Sequence, residues 1–393
     1  MKVNELISKV NKENIYKNIM NLHFERNPIT SYENLIKSGE YISEQFKYLG
    51  LQVEEQEFKV EYLDKSFKNI SGILNPGKDS EILVTSHYDH IMGSPGADDN
   101  LSGVSIMLEV ARILSEKNIN KTIRFVSFTL EEGHPGIQQE LYNKALSLGL
   151  YNQEGIPKSL DFAEKLKNYD KFYTENRLRG MNRPEINNSF LQHNKNDLSS
   201  SEFEFFDYRK VFDEKISKFS SIGFYGLVGS TKWVEQDFVN SNNIKGVINL
   251  ETCGFTSIKP HSQNYPPGLN PDQFPKHNVI DTTIGNYVFI VSDKISLGLG
   301  QDFFKQTQHS EIDLSSMLFG VPLKFEEILK MMVDLLRSDH APFWNKEIPA
   351  LMITDSANFR NPYYHTGGDV IGTLDFNFME KVAQTVIATT ISY

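Results

Sequence analysis

Short β-branched and aromatic runs, each separated from the next by a segment of helical spacing, constrain this chain more than any other feature. Ile82-Leu83-Val84-Thr85, Ile123 to Leu130, Val247 to Leu250, Tyr287 to Val291 and Ala350 to Thr354 are too short and too rich in strand-forming residues for helices. Val53 to Val60 alternates in polarity as a half-buried strand does, and Asn69 to Leu74 reads as another. Between them, residues 3 to 22 and 31 to 48 have helical periodicity, with Ser31 as N-cap and Gly50 as stop for the second. From Val104 the pattern is helical again, with Ser105, Glu109, Arg112 and Glu116 as one polar stripe on an otherwise apolar helix packed against a sheet. Met379, Val382, Val386 and Ile387 give a last helix its apolar face. Strands alternating with helices predict an α/β fold with a largely parallel sheet. In such sheets ligand sites form beyond the carboxyl ends of the strands.

Four of these expected strand ends carry metal-ligand chemistry. Ser86-His87-Tyr88-Asp89-His90 follows the first, Glu131-Glu132 the second, Glu251 the third, and His365 lies a short way after the last; Asp99 stands twelve residues beyond His87. Imidazole nitrogen and carboxylate oxygen are zinc ligands, and two zinc ions about 3.5–4 Å apart can share a carboxylate. Asp99 is the expected shared ligand, since it lies between the others in chain order and precedes a helix. One metal then takes His87 and Glu251, the other Glu132 and His365. Asp89 is expected to accept the second ring N–H of His87 and fix its tautomer. Glu131 is left as general base. Manganese or cobalt would accept the same set.

His87-x-Asp89, Gly96-Ala97-Asp98-Asp99-Asn100-x-Ser102-Gly103, Glu131-Glu132-Gly133, Asn249-Leu250-Glu251, Ser338-Asp339-His340-Ala341-Pro342-Phe343 and Tyr364-His365-x-x-x-Asp369 together resemble the family-28 zinc metallopeptidases, co-catalytic di-zinc exopeptidases that are mostly aminopeptidases. The similarity covers roughly residues 30 to 133 and 225 to 393. It implies a central mixed, mainly parallel sheet with helices on both faces, two zinc ions per chain, and hydrolysis of the N-terminal bond of a peptide. It also implies the ligand and base roles given above, with Tyr364 as hydrogen-bond donor to the tetrahedral intermediate and a cis peptide at Asp99–Asn100. Two departures stand out. Glutamate occupies position 251, where the family more often has aspartate. The family's Glu-Glu-x-Gly-Leu-x-Gly-Ser continuation is interrupted, and Gly226-Leu227-Val228-Gly229-Ser230 follows more than ninety residues after Glu132.

The interruption, residues 134 to 224, reads as an inserted subdomain, either a lid or a dimerisation arm, in a catalytic domain made of 1–133 and 225–393. Its aromatic cluster of Phe203, Phe205, Phe206, Tyr208 and Phe212 reads as its own core, and only short helices such as Leu160 to Asn168 are expected there. His90, His134 and His340 are expected to be non-ligands, Asp98 a turn residue and Cys253 a small buried hydrophobe. A related carboxypeptidase or other amidohydrolase is the alternative reading, with Arg360 or Lys324 as the cation for a substrate carboxylate; glutaminyl cyclases, which use a single zinc, are a more distant one. A net charge of −11 without a basic stripe argues against nucleic acid as partner. No run approaches a membrane span, and the charged N-terminus is unlike a signal peptide. A lone cysteine fits a reducing compartment, so a cytoplasmic location is expected.

Overall fold

The computed structural model describes residues 3–61, 63–117, 119–210, 226–236, 243–266, 269–271 and 278–393. Eight strands form one sheet: β1 (Gln52–Val60), β2 (Leu63–Leu74), β3 (Glu81–His87), β4 (Thr122–Phe128), β5 (Ile244–Glu251), β6 (Val288–Ser292), β7 (Ser316–Gly320) and β8 (Ala350–Thr354). Their order is β1-β2-β4-β3-β5-β8-β6-β7. The inner four, β4-β3-β5-β8, are mutually parallel; β1, β2 and β4 pair antiparallel, and β6 runs antiparallel to β8 and parallel to β7. The sheet is therefore mixed and mainly parallel, as expected.

Neighbouring residues of the inner strands point to opposite faces, and each face is buried. Val84, Phe125, Ile248 and Leu351 enter one core, which the helices Lys12–Leu22, Gly103–Ser115 and Phe376–Ser392 cover. Leu83, Val126, Val247 and Ala350 enter the other, against Trp233, Phe343 and Trp344. Burial on both sides explains why these strands read as continuous apolar runs.

The expected helix over 3–22 breaks into Val3–Ile7 and Lys12–Leu22, because Asn11 caps the second by accepting from the Glu13 N–H. Gly50 does end the helix Tyr32–Tyr48, with φ of 74°. On Gly103–Ser115 the polar stripe is itself partly buried: the Glu109 carboxylate accepts from Arg112 at 2.7 and 2.8 Å and from the Asn11 N–H at 2.8 Å. Strand β7 was not visible in the sequence, since only three apolar residues mark it.

Between Glu132 and the return at Gly226, the described residues form helices Pro135–Ser147, Leu160–Leu178, Arg183–His193 and Ser200–Tyr208. These are longer than the short helices the polar composition suggested. Phe162, Tyr169, Phe190, Phe205 and Phe206 bury one another in a cluster separate from the two sheet cores. Phe203 is partly exposed, and Phe212 lies outside the described residues.

Candidate metal centre

Parallel pairing brings the candidate residues to one edge of the sheet. His87 is the last residue of β3 and Glu251 the last of β5, while Glu131 and Glu132 lie just past β4. Asp99 sits in the turn that opens the helix Gly103–Ser115, and the Asp99–Asn100 peptide is cis, as the resemblance implied. His365 reaches in from the loop after β8 with φ of 56°.

Asp99 stands between two groups. Its Oδ1 is 3.3 Å from His87 Nε2, which is 3.5 Å from Glu251 Oε2. Its Oδ2 is 3.2 Å from His365 Nε2, which is 3.0 Å from Glu132 Oε2. Ligands about 2.0–2.2 Å from a tetrahedral zinc stand some 3.3–3.6 Å apart, so these spacings suit a shared ion at each group. His87 Nε2, His365 Nε2 and both Asp99 oxygens are buried without a well-formed hydrogen bond in the protein. Buried polar atoms are ordinarily satisfied, and four orphaned donor atoms facing one another are what a pair of cations would satisfy. The residues present fit two zinc ions.

Charge points the same way. Burial opposes protonation of His365, yet Glu132 and Asp99 outweigh it and raise its pKa to about 10. For His87, burial again opposes, and Glu251 and Glu131 lead the groups that push its pKa well above the ordinary value. Glu131 is held above the carboxylate range by burial first and by Glu251, Glu132 and Asp339, against the pull of His87. The cleft attracts positive charge.

The surrounding bonds set each side chain. His87 Nδ1 faces Asp89 at 3.2 Å from its carbonyl oxygen and 3.6 Å from Oδ1. The Asp89 carboxylate accepts from the N–H groups of Glu131 (3.0 Å) and Glu132 (3.2 Å), so it also fastens the candidate base. Ser338 Oγ donates to Glu251 Oε2 at 2.6 Å and accepts from Asn249 Nδ2 at 2.7 Å. Asp369 accepts from the Asp98 and Asp99 N–H groups, while Asp98 accepts from the Gly254 N–H and Asn361 and shapes the turn. Tyr364 stacks on His365 with ring centroids 3.9 Å apart.

Two further residues emerge only in three dimensions. His90 joins Asp99 and Glu132 by position, but its Nδ1 is 2.9 Å from Glu132 Oε1 and its Nε2 is 2.8 Å from Ser94 Oγ, so both nitrogens are engaged and it orients Glu132. Arg26, fully buried, donates to the carbonyls of Tyr88, Leu22, Phe24, Pro95 and Gly96 and ties down the loop that carries the metal residues. Cys253 is buried, with Sγ 3.1 Å from the Ile353 carbonyl oxygen. His340 is buried behind the centre on the Leu335 carbonyl.

A cavity of about 100 Å³ opens beside Glu251 and Tyr364, walled by Leu269, Phe289, Val291, Phe319, Leu335 and Met352. Neither Arg360 nor Lys324 lines it. Arg360 is buried in bonds to Gln263 and the Tyr287 and Phe255 carbonyls, and Lys324 pairs with Glu347 on the surface. Arg337 does line it, next to Tyr364.

The chain that leaves after Glu132 returns to the same spot. The Leu227 and Val228 N–H groups donate to the carbonyls of Glu131 (2.9 Å) and Leu130 (3.0 Å). A Cβ on Gly226 would lie 2.1 Å from the Glu131 carbonyl oxygen, and one on Gly229 2.0 Å from that of Thr129, so only glycine allows this approach.

Comparison with known proteins follows this geometry. The chain is 24% identical over 363 residues to the uncharacterized protein YfbL of Escherichia coli, covering 90% of this chain and 79% of that one. It is 46% identical over 74 residues to aminopeptidase YwaD of Bacillus subtilis, covering 18% of this chain and 16% of that protein. Among solved structures, the LapA aminopeptidase of Legionella pneumophila superposes with a TM-score of 0.58 at 15% identity, over 99% of this chain and 73% of that one. A glutaminyl cyclase of Porphyromonas gingivalis superposes with a TM-score of 0.56 at 16% identity, over 97% of each chain. Such likenesses at low identity show a shared fold. The model of peptidase family M28 matches residues 69–174 and 288–390, more than half of the sequence, and the chain belongs to that family.

Proposed function

We propose that this protein is a zinc-dependent aminopeptidase that uses two metal ions to hydrolyse the N-terminal peptide bond of peptides. The observation that carries it is the pair of ligand groups sharing Asp99, with four buried donor atoms left without protein partners. Family membership supports the coarser class, a metallo-aminopeptidase type of hydrolase. The names of YwaD and of the probable leucine aminopeptidase of Trichophyton verrucosum agree, each matched over less than half of its length.

His87, Asp99 and Glu251 would hold one ion, and Asp99, Glu132 and His365 the other. Zinc there supplies Lewis-acid polarisation of a carbonyl oxygen and lowers the pKa of water. The protein does the rest. Glu131 takes a proton from the attacking water and delivers it to the leaving amine, a role suited to a carboxylate that stands beside both ligand groups without being assigned to either. Water oxygen bonds to the carbonyl carbon to give a tetrahedral intermediate, and the C–N bond breaks as the amine nitrogen takes the proton held by Glu131. The Tyr364 hydroxyl donates to the oxygen on which charge develops. Asp89, Ser338 and His90 keep the base and two carboxylate ligands in place. The apolar cavity beside Glu251 suits a large aliphatic or aromatic side chain at the cleaved residue.

The test compares free-amine and N-acetylated leucyl peptides with protein whose zinc content is measured by mass spectrometry. Two zinc ions and cleavage of free-amine peptides alone support the proposal; equal cleavage of both forms defeats it. Arg337 in the cavity wall favours one alternative, a carboxypeptidase or amidohydrolase that grips a substrate carboxylate. In that case Arg337→Gln abolishes turnover of C-terminally free substrates and spares their amides.

A further inference from the structure

The described residues between Glu132 and Gly226, up to position 210, touch the centre's surroundings at three separate places. At the stem, Gln138 Nε2 donates to the Glu132 carbonyl at 3.3 Å, and the returning strand of chain is bonded to Glu131 and Leu130. On a second side the turn at Gly155 and Ile156 lies on the loop leading to Asp99. A Cβ on Gly155 would be 3.0 Å from Met92, and one on Gly93 would be 3.1 Å from Ile156. Gly367, two residues past His365, approaches that loop from below, its Cβ position 3.2 Å from the Gly93 carbonyl oxygen. On a third side the helix Leu160–Leu178 packs against Val333–Leu336, the turn that runs directly into Arg337 and Ser338 at the cavity. An arm reaching away from the body would touch it only at the stem. Three anchors around the base, the metal loop and the cavity make the segment a span, and its own aromatic core gives the span stiffness.

We propose that the segment Pro135–Tyr208 is a roof that restricts the site to short peptides. This rests on the aminopeptidase reading.

The experiment measures calorimetric affinity of zinc-loaded Glu131→Gln protein for leucine-led dipeptide, tetrapeptide and decapeptide. Affinity falling at least about tenfold from dipeptide to decapeptide is expected. Ile156→Asp, which loosens the second anchor away from the ligands, should narrow the length discrimination. Equal affinity at all lengths overturns the roof. If the otherwise unaltered protein fails to hydrolyse leucine anilide while length-dependent binding persists, the aminopeptidase reading fails and the roof stands.

Discussion

Glu131→Gln should have opposite effects on activity and on the stability of the metal-free protein. The side chain is 8% exposed, and ligand atoms of Glu131, Glu251 and His87 all lie within 4.8 Å of one another. At that separation and an effective dielectric near 20, two carboxylate charges repel by roughly 3.5 kcal/mol. Attraction to His87, whose Nε2 is 3.9 Å from Glu131 Oε2, is about 4 kcal/mol on the same basis and cancels it, so burial of the charged carboxylate, the first cause of its raised pKa, decides the sign. A neutral amide should relieve about 1–2 kcal/mol of that burial cost. The sign with pH follows from the raised pKa of Glu131. The folded, metal-free protein holds a proton there that the unfolded chain has already lost. The group's contribution is therefore fully present below its unfolded pKa and is lost as pH rises through the folded value. Glutamine cannot titrate, so the variant's advantage should be small near pH 5 and largest near pH 8. For a chain of this length 1–2 kcal/mol is about 1–3 °C in Tm. Calorimetry in excess chelator across that range checks it, alongside zinc content and peptidase rate of the loaded protein. Turnover should drop by about 10²–10⁴ with both zinc ions kept. A chelated variant that melts below the parent at pH 8, or a loaded one with near-normal turnover, refutes the assignment.

Ser338→Ala removes the 2.6 Å bond to Glu251 and should weaken one of the two proposed zinc sites by about 10–100-fold, seen as a split in a zinc titration that is otherwise steep. His340, whose ring pKa is pushed down from 6.5 to about 4 by burial against the opposing bond to the Leu335 carbonyl, is stable only when neutral. Its contribution is complete above pH 6.5 and is lost as pH falls through about 4, so His340→Phe should flatten roughly 3 kcal/mol of acid-limb instability in denaturant melts between those values. Arg26→Met strands five buried carbonyl contacts and should cost about 3–5 kcal/mol in urea unfolding, with zinc affinity falling as well.

The sheet was legible because its inner strands are buried on both faces and so print as continuous apolar runs. The gathering of the candidate ligands was legible because parallel strands deliver their C-terminal residues to one edge whatever separates them in sequence. Other features depend on distant pairings. His90 was set aside because a histidine beside a ligand carries no mark of its partner, and Glu132 becomes that partner only when β3 and β4 pair. Arg26 acts on backbone carbonyls up to seventy residues away, which leave no trace in side-chain pattern. Arg360 and Lys324 were sought as cavity cations on charge alone, while Arg337 reaches the cavity because the turn Val333–Leu336 aims it there. The helices between Glu132 and Gly226 were underestimated because polar helices stabilised by their own small core give weak periodicity.

Arg26 exposes a division of labour in holding this acidic centre together. Burial lowers its pKa to about 10, opposed by Asp369, Asp89, Asp99 and Glu132, yet its bonded partners are all carbonyls. It therefore acts on the ligand carboxylates only through space, while its hydrogen bonds fix the backbone from Tyr88 to Gly96. Asp369 fixes the next stretch through the Asp98 and Asp99 N–H groups. These bonds do not depend on metal, whereas the mutual repulsion of Asp99, Glu132 and Glu251 does. Zinc at a hundred times its Kd adds about 2.7 kcal/mol per site, a stabilisation the two apolar cores can forgo. Chelation should then leave the sheet intact and loosen the site locally. In hydrogen exchange, amides from 97 to 102 and around His365 should lose protection by tenfold or more, about 1.4 kcal/mol. Those of β3, β4 and β5 should hold theirs. Global loss of protection on chelation would mean instead that the fold needs the metals, and that Arg26 and Asp369 hold far less than their bonds suggest.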